Sequence, residues 1–449
     1  MTVPPGPRFL RPLQAVSMQR DPLGYFKRCQ DRYGDVFALS FGTALHPTAW
    51  VCDPALVEQV IVAPASELEG ARTNAIVRPL VGDGSTLLLA GKEHAARRTL
   101  LAPEFDHDHL AHDRAEISEL ASAELRSWRS GEVIPLWSRV RQLTMQIMLE
   151  VVFGVREGAE RDRLAAGLSE IVDLSGSLAM LMPRLRVDLG PLSPWGRFLR
   201  RKAAVDELLY AEISARRTDP LLASRRDILS TALRARYPDG RGLSDEEVHD
   251  ELMTLVIAGN QTTAGGLAWA LELLLRHPVE LAHVREDLQR GSEEYLDAAV
   301  VEALRLRTPL FGLGRGPLAD YRLGRFTIPP SMGIAVPLLL VYRSPALYSD
   351  PTLYRPHRHL EGEAGGPSWM PFGGGIRSCI GGDFARLQIG ILLGAIVGSA
   401  ELELVDPSPE RVRLKAGALV VPSREVRVRV VAQHAPSASA RSPAMPGSR

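Results

Sequence analysis

"FGGGIRSCIGG", residues 372–382, places one of only three cysteines in a loop that holds five glycines. Three chemical roles suit Cys379: nucleophile, zinc ligand or haem-iron ligand. Zinc requires several Cys or His ligands at short spacing, and no second cysteine lies near. A nucleophile requires a base. His357 and His359 are candidates whose position the sequence alone does not fix, so that reading stays open. A phosphate loop is excluded, because G-x-x-x-x-G-K-[ST] is missing and no strand signal precedes the glycines.

A haem-iron thiolate accounts for more of the pattern. Gly373, Gly374, Gly375, Gly381 and Gly382 remove side chains, so backbone can approach a flat macrocycle. A helix is expected to begin just after Cys379 and run to about residue 397, its amide dipoles favouring a sulfur anion. Neighbouring N–H groups would tune the sulfur as donor. Arg377 suits a propionate. The pattern F-x-x-G-x-R-x-C-x-G is complete at Phe372, Gly375, Arg377, Cys379 and Gly381, which makes a plain buried cysteine a poor explanation.

Outward from this loop the chain reads as mostly helical. Apolar residues recur at helical spacing in 110–128, 138–153 and 159–174, and two long helices are expected over 244–277 and 292–307, stopped by Pro278 and Pro309. No charged residue occurs from Leu252 to Leu271, a membrane-spanning length. Asn260, Gln261, Thr262 and Thr263 at its centre, and a capping box at Ser244 and Glu247, point instead to a core helix. Short strands are expected at 35–41, 48–52, within 318–342 and 352–360, and at 424–431. Residues 175–202, broken by three prolines, read as a helix–loop–helix that is either a surface connection or a lid over an apolar pocket. Lys+Arg and Asp+Glu number 53 each, so no global field marks a nucleic-acid binder. Three scattered cysteines fit a reducing cytoplasm. The N-terminus has no apolar stretch long enough for a signal peptide or transmembrane anchor. A single domain over 1–433 and a disordered tail over 434–449 are expected.

The cysteine loop resembles that of the cytochrome P450 family of haem-thiolate monooxygenases. Further stretches carry the resemblance, in the expected order, across about residues 10–432. "EALR", 302–305, resembles the family's E-x-x-R, and "RPHRHL", 355–360, supplies an arginine to match its partner. The resemblance implies a buried ionic cluster of Glu302, Arg305 and Arg358. "AGNQTT", 258–263, resembles A-G-x-[D/E]-T-T, where the family's long helix crosses the oxygen-binding face. Ala258 and Gly259 would leave room there, and Thr262 matches the threonine that holds dioxygen and relays protons. Gln261 departs from the usual carboxylate, since an amide does not titrate; its expected part is to hold a relay water. "GKEHAARRTLLAPEF", 91–105, resembles the propionate-binding helix, with His94 and Arg98 on one propionate and Arg97 facing elsewhere, toward an electron donor. Arg315 matches another propionate arginine.

The resemblance implies a mainly α fold with small β-sheets (α+β), haem b held between the long central helix and the cysteine-loop helix, and insertion of one atom of O2 into a hydrophobic small molecule. No reductase segment and no G-x-G-x-x-G occurs, so the implied partners are a separate ferredoxin and an NAD(P)H-dependent ferredoxin reductase, serving a cytoplasmic monomer. Pocket walls are expected from Leu88, Ala258, Leu310, Phe311 and Leu419. A peroxide-driven or non-hydroxylating enzyme, a haem sensor and a cysteine hydrolase are the competing readings.

Overall fold

Ser244 starts the longest helix, Asp245–Arg276. Its hydroxyl accepts from the Glu247 N–H (3.1 Å), and the Glu247 carboxylate accepts from the Ser244 N–H (2.8 Å). The cap thus satisfies two end donors, while Asp245, Glu246 and Glu247 complement the positive end of the dipole. The computed structural model describes residues 2–7, 11–41, 47–105, 107–155, 158–176, 183–362, 369–415 and 418–434. The expected tail therefore lies outside the described residues, except His434.

The central helix is buried along most of its length. Helices Leu136–Phe153, Glu294–Leu306 and Gly382–Ser399 pack around it. Gly266 permits the closest crossing: a Cβ there would lie 2.8 Å from Ile389 Cδ1 and 3.2 Å from Leu304 Cδ2. Helix Gly382–Ser399 is long and apolar enough, by length and composition, to cross a membrane. Here Phe384, Ile389, Leu392, Leu393, Ile396 and Val397 pack into the main core, where burial of each side chain is favoured by about 1.5–3 kcal/mol.

The largest sheet has five strands in the order Val36–Leu39, Thr48–Val51, Gly333–Pro337, Gly312–Pro317 and Leu68–Glu69. Thr48–Trp50 pairs parallel with Gly333–Ala335, and the other pairings are antiparallel. A three-stranded sheet joins Val133–Pro135, Arg427–Gln433 and Ala400–Leu404. Two hairpins complete the sheets among the described residues, Tyr321–Leu323 with Phe326–Ile328 and Val412–Lys415 with Leu419–Pro422.

Two expectations change. Residues 352–360 form no strand; Pro356 opens a single 3-10 turn, Pro356–His359. In the connection 175–202, residues 177–182 lie outside the described set, and the second helix starts at Pro194 and extends to Arg217, capped by the Ser193 hydroxyl (3.0 Å to Gly196 N). Residues 183–192 between them are largely exposed, Leu192 at 86 %.

Candidate haem-thiolate site

The cysteine loop is shaped by its glycines. Gly373 and Gly375 adopt φ of 74° and 61°, the left-handed region. A Cβ on Gly375 would meet the Ile61 carbonyl at 2.6 Å. The loop therefore leans on helix Pro54–Val62 through Gly375 and Gly374, where an added Cβ would lie 2.5 Å from Ile61 Cγ2. The Cys379 N–H donates to the Phe372 carbonyl (2.6 Å), which closes the loop. Gly381 caps the following helix.

The Cys379 side chain is accessible, yet protein surrounds it closely enough that burial pushes its thiol pKa up. The Gly381 N–H bond and the nearby Arg98 charge act the other way without prevailing. The helix dipole alone does not ionise this sulfur; a bound metal ion, which deprotonates a thiol outright, would.

Midway along the central helix, Leu255, Ala258 and Thr262 are partly open at i, i+3 and i+7, as are Ile257 and Gly259, and Ala258 is the most exposed of them. Gly259, expected beside Ala258, turns out to serve helix packing: a Cβ would lie 3.2 Å from the Met148 thioether. The Thr262 hydroxyl donates to the Ala258 carbonyl one turn back. Gln261 does not join this stripe. It is buried, and its Nε2 donates to the Val172 carbonyl (3.1 Å) on helix Ala159–Leu174, while its Oε1 has no partner.

The basic residues converge. Arg98 donates to the Ser378 carbonyl (2.6 Å) and hydroxyl (3.0 Å). Arg377 donates to the carbonyls of Thr86 (3.2 Å) and Leu89 (2.5 Å), and its buried Nε has no partner. Arg315 reaches the Gly374 carbonyl (3.4 Å). Burial, with Arg377 and Arg98 nearby, lowers the His94 pKa to about 4. Burial and Arg377 lower that of Arg315 to about 10. No ion pair joins any of the four to a carboxylate among the described residues; the carboxylate whose charge Arg377 feels is Glu69. Three mutually repelling, under-paired arginines at the loop of an accessible cysteine, with a neutral His94 beside them, fit a dianionic, flat group that brings its own carboxylates.

Arg97 overturns its expectation. It is buried, pairing with Glu247 (2.6 Å) and Glu251 (2.8 Å) and donating to the Tyr237 hydroxyl (2.8 Å), so it ties helix Gly91–Leu101 to the central helix instead of facing a donor.

Glu302, Arg305 and Arg358 are fully buried. Glu302 takes Arg305 through two bonds of 2.8 Å, Arg358 at 3.2 Å and the Arg355 N–H at 3.0 Å. His359 completes the cluster at 2.9 Å. Sequence reasoning had considered His359 only as a base; its place beside Arg358 in one turn was the available signal.

The pocket expectations divide. Leu310 and Leu419 meet in an isolated bridge, and Leu88 is half-buried beside the main core. Phe311 is not a wall residue. It is 1 % exposed and packs edge-on against Phe26 (4.7 Å) and Trp50 (6.0 Å), because side chains alternate along extended chain and its neighbour Leu310 takes the other side. Phe311→Leu is expected to cost on the order of 1 kcal/mol of stability and to leave azole-binding spectra unchanged; urea midpoints and Soret titrations check both. A groove of about 740 Å³, lined by Glu272, Arg307 and Tyr354 among others, lies at the C-terminal end of the central helix and includes none of the expected site residues.

A family model described as Cytochrome P450 matches residues 2–430. Cytochrome P450 135B1 of Mycobacterium tuberculosis is 35 % identical over 99 % of this chain and 94 % of its own length. Cytochrome P450 138 of the same organism is 33 % identical over 90 % of each chain. Among solved structures, the retinoic acid-bound cyanobacterial CYP120A1 superposes with a TM-score of 0.85 at 21 % identity, covering 97 % of this chain and all of its own. An accessible cysteine in a loop flanked by under-paired arginines, on a fold and sequence shared nearly end to end with such relatives, leaves one conclusion: the chain belongs to the cytochrome P450 family, the haem b monooxygenases.

Proposed function

We propose that this enzyme hydroxylates or epoxidises an apolar small molecule of secondary metabolism, such as a lipid, terpenoid, steroid or polyketide-like compound. It works as a cytoplasmic monomer fed by a ferredoxin and its NAD(P)H-dependent reductase. The carrying observation is the partly open stripe of Leu255, Ala258 and Thr262 midway along the central helix. A stripe of that composition offers a substrate apolar surface and one hydroxyl, with little to hold a charged molecule. The half-buried Leu88 and the Leu310–Leu419 bridge supply further apolar wall.

Haem b, when bound, activates dioxygen, with the thiolate favouring O–O cleavage. The chain does the rest. Cys379 supplies the ligand sulfur, with the Gly381 N–H as its hydrogen-bond donor. His94, Arg98, Arg315 and Arg377 hold the propionates, and Arg377 uses its free Nε. Phe372 and Gly373 shape the proximal loop. The Thr262 hydroxyl, released from the Ala258 carbonyl, passes a proton toward the reacting oxygen. The unpartnered Oε1 of Gln261 accepts from a relay water, since its amide does not titrate.

Purified holoenzyme screened against fatty acids, terpenoids, steroids and macrolides is expected to show a high-spin Soret shift with at least one apolar class. The same compound should be oxygenated with NADPH, ferredoxin and reductase. Turnover with hydrogen peroxide alone, at a rate equal to or above that of the reconstituted chain, would overturn the monooxygenase assignment of electron source. Shifts confined to charged, polar compounds would overturn the substrate class.

A further inference from the structure

Helix Pro194–Arg217 meets the central helix through a buried histidine that has a carboxylate on each side. His249 Nε2 lies 2.9 Å from Asp206 Oδ1, and Nδ1 lies 3.0 Å from Asp250 Oδ1. The ring is 2 % exposed and stacks on Tyr210, with centroids 4.6 Å apart and planes 8° from parallel. Ionised carboxylates only accept. Both contacts are satisfied together only when both ring nitrogens carry protons, which makes this histidine an imidazolium by geometry.

The contacts run on into the loop before the haem-side helix. Asp250 Oδ2 accepts from the Gly84 N–H (2.8 Å). Gly82, at φ 78°, makes room for the same carboxylate; a Cβ there would overlap it. The next residue, Glu251, accepts from the Thr86 N–H (2.9 Å). The Thr86 and Leu89 carbonyls in turn accept from Arg377. Loop 84–89, which carries Leu88, is thus pinned to Asp250 and Glu251 on one side and to Arg377 on the other. Upstream in the same connection, Arg186 donates to the Ile76 carbonyl (3.4 Å), a second tie between residues 76–89 and the segment that leads into helix Pro194–Arg217.

We infer that His249 is a positioning residue: held as a cation between Asp206 and Asp250, it latches helix Pro194–Arg217 to the central helix and fixes loop 84–89, and so sets the rate at which molecules enter and leave the pocket. Lys202, Asp206 and Tyr210 face it from the first helix, and Asp250 and Glu246 lie on its own. From loop 84–89 the facing group on Asp250 is the Gly84 N–H, which does not titrate. Burial disfavours the imidazolium, but the hydrogen bonds to Asp206 and Asp250 outweigh it and raise the His249 pKa. A raised value means the latch is fully formed below the ordinary histidine value and is lost as pH rises through the folded value. The inference does not depend on the substrate class.

The test uses holoenzyme and 4-phenylimidazole, whose coordination to iron shifts the Soret band. Association and dissociation rates are followed by stopped flow from about pH 6 to about pH 9, across the histidine range, with hydrogen exchange of peptides covering 84–89 and 194–217. Both rates in the parent are expected to rise roughly tenfold with pH along a single titration, the scale of one charge-assisted bond, and exchange in both peptides to rise with them. Asp206→Asn and His249→Gln should be fast and flat at every pH. Asp206→Asn retains an acceptor for Nε2–H, so it carries the test should His249→Gln not yield holoenzyme. A flat parent profile, or an Asp206→Asn profile that follows the parent, would overturn the latch.

Discussion

Cys379→Ser is expected to lose the red-shifted Soret band of the reduced, carbon monoxide-treated protein and to drop to background oxygenase turnover. The fold should survive. The exchange removes one polarisable atom from a loop whose shape depends on the Cys379 N–H to Phe372 bond and on left-handed Gly373 and Gly375, none of which involves sulfur. Its chemistry does depend on sulfur. Burial already holds the Cys379 thiol above its ordinary pKa, so iron must drive the ionisation, and a serine hydroxyl resists ionisation far more strongly than a thiol. The thiolate's electron donation, which favours O–O cleavage, goes with it. A serine variant with parental turnover, or a parent without the red-shifted band, would end the haem-thiolate account.

Glu302→Gln is expected to cost about 3–5 kcal/mol, because the fully buried Arg305 would lose the carboxylate that binds it through two bonds, and Arg358 and His359 would lose its charge as well. The amide keeps the shape of the carboxylate, so the loss reports charge and not packing. Burial alone would raise the Glu302 pKa; its bonds to Arg305 and His359 win and lower it to about 2. A depressed folded value places this contribution fully above about pH 4.5, the ordinary glutamate value, and removes it as pH falls toward 2. Urea unfolding of the two proteins should therefore differ by a constant amount near neutral pH and converge in acid. Equal midpoints at pH 7 would show that the cluster contributes no stability.

Much of this site was legible because its residues act at short range in sequence. Cys379 and Arg377 belong to one loop, Glu302 and Arg305 to one helical face, and the Ser244–Glu247 cap to one turn. What sequence spacing leaves undetermined is where a face points. His94 and Arg98 share a helical face as expected, while Arg97, one residue away, turns into the core. Gly259 follows Ala258 in sequence but opposes Met148 across a helix crossing. Phe311 and Leu310 diverge because extended chain alternates sides. The role of His359 depends on Glu302 lying beneath the turn Pro356–His359, a contact between residues 57 positions apart. The bond of Gln261 to Val172 is of the same long-range kind.

The parallel pairing of Thr48–Trp50 with Gly333–Ala335 has a consequence for synthesis. On a ribosome the second strand is made roughly half a minute after the first, at ordinary elongation rates. During that interval Thr48–Val51 has its hairpin partner Val36–Leu39 but presents a bare outer edge, the kind that invites pairing with another nascent chain. Phe26 and Trp50 must likewise wait for Phe311. Slow maturation and a need for chaperone shelter are thereby written into the topology, and lowering the growth temperature during overproduction should raise the recovered yield more than altering the surface would.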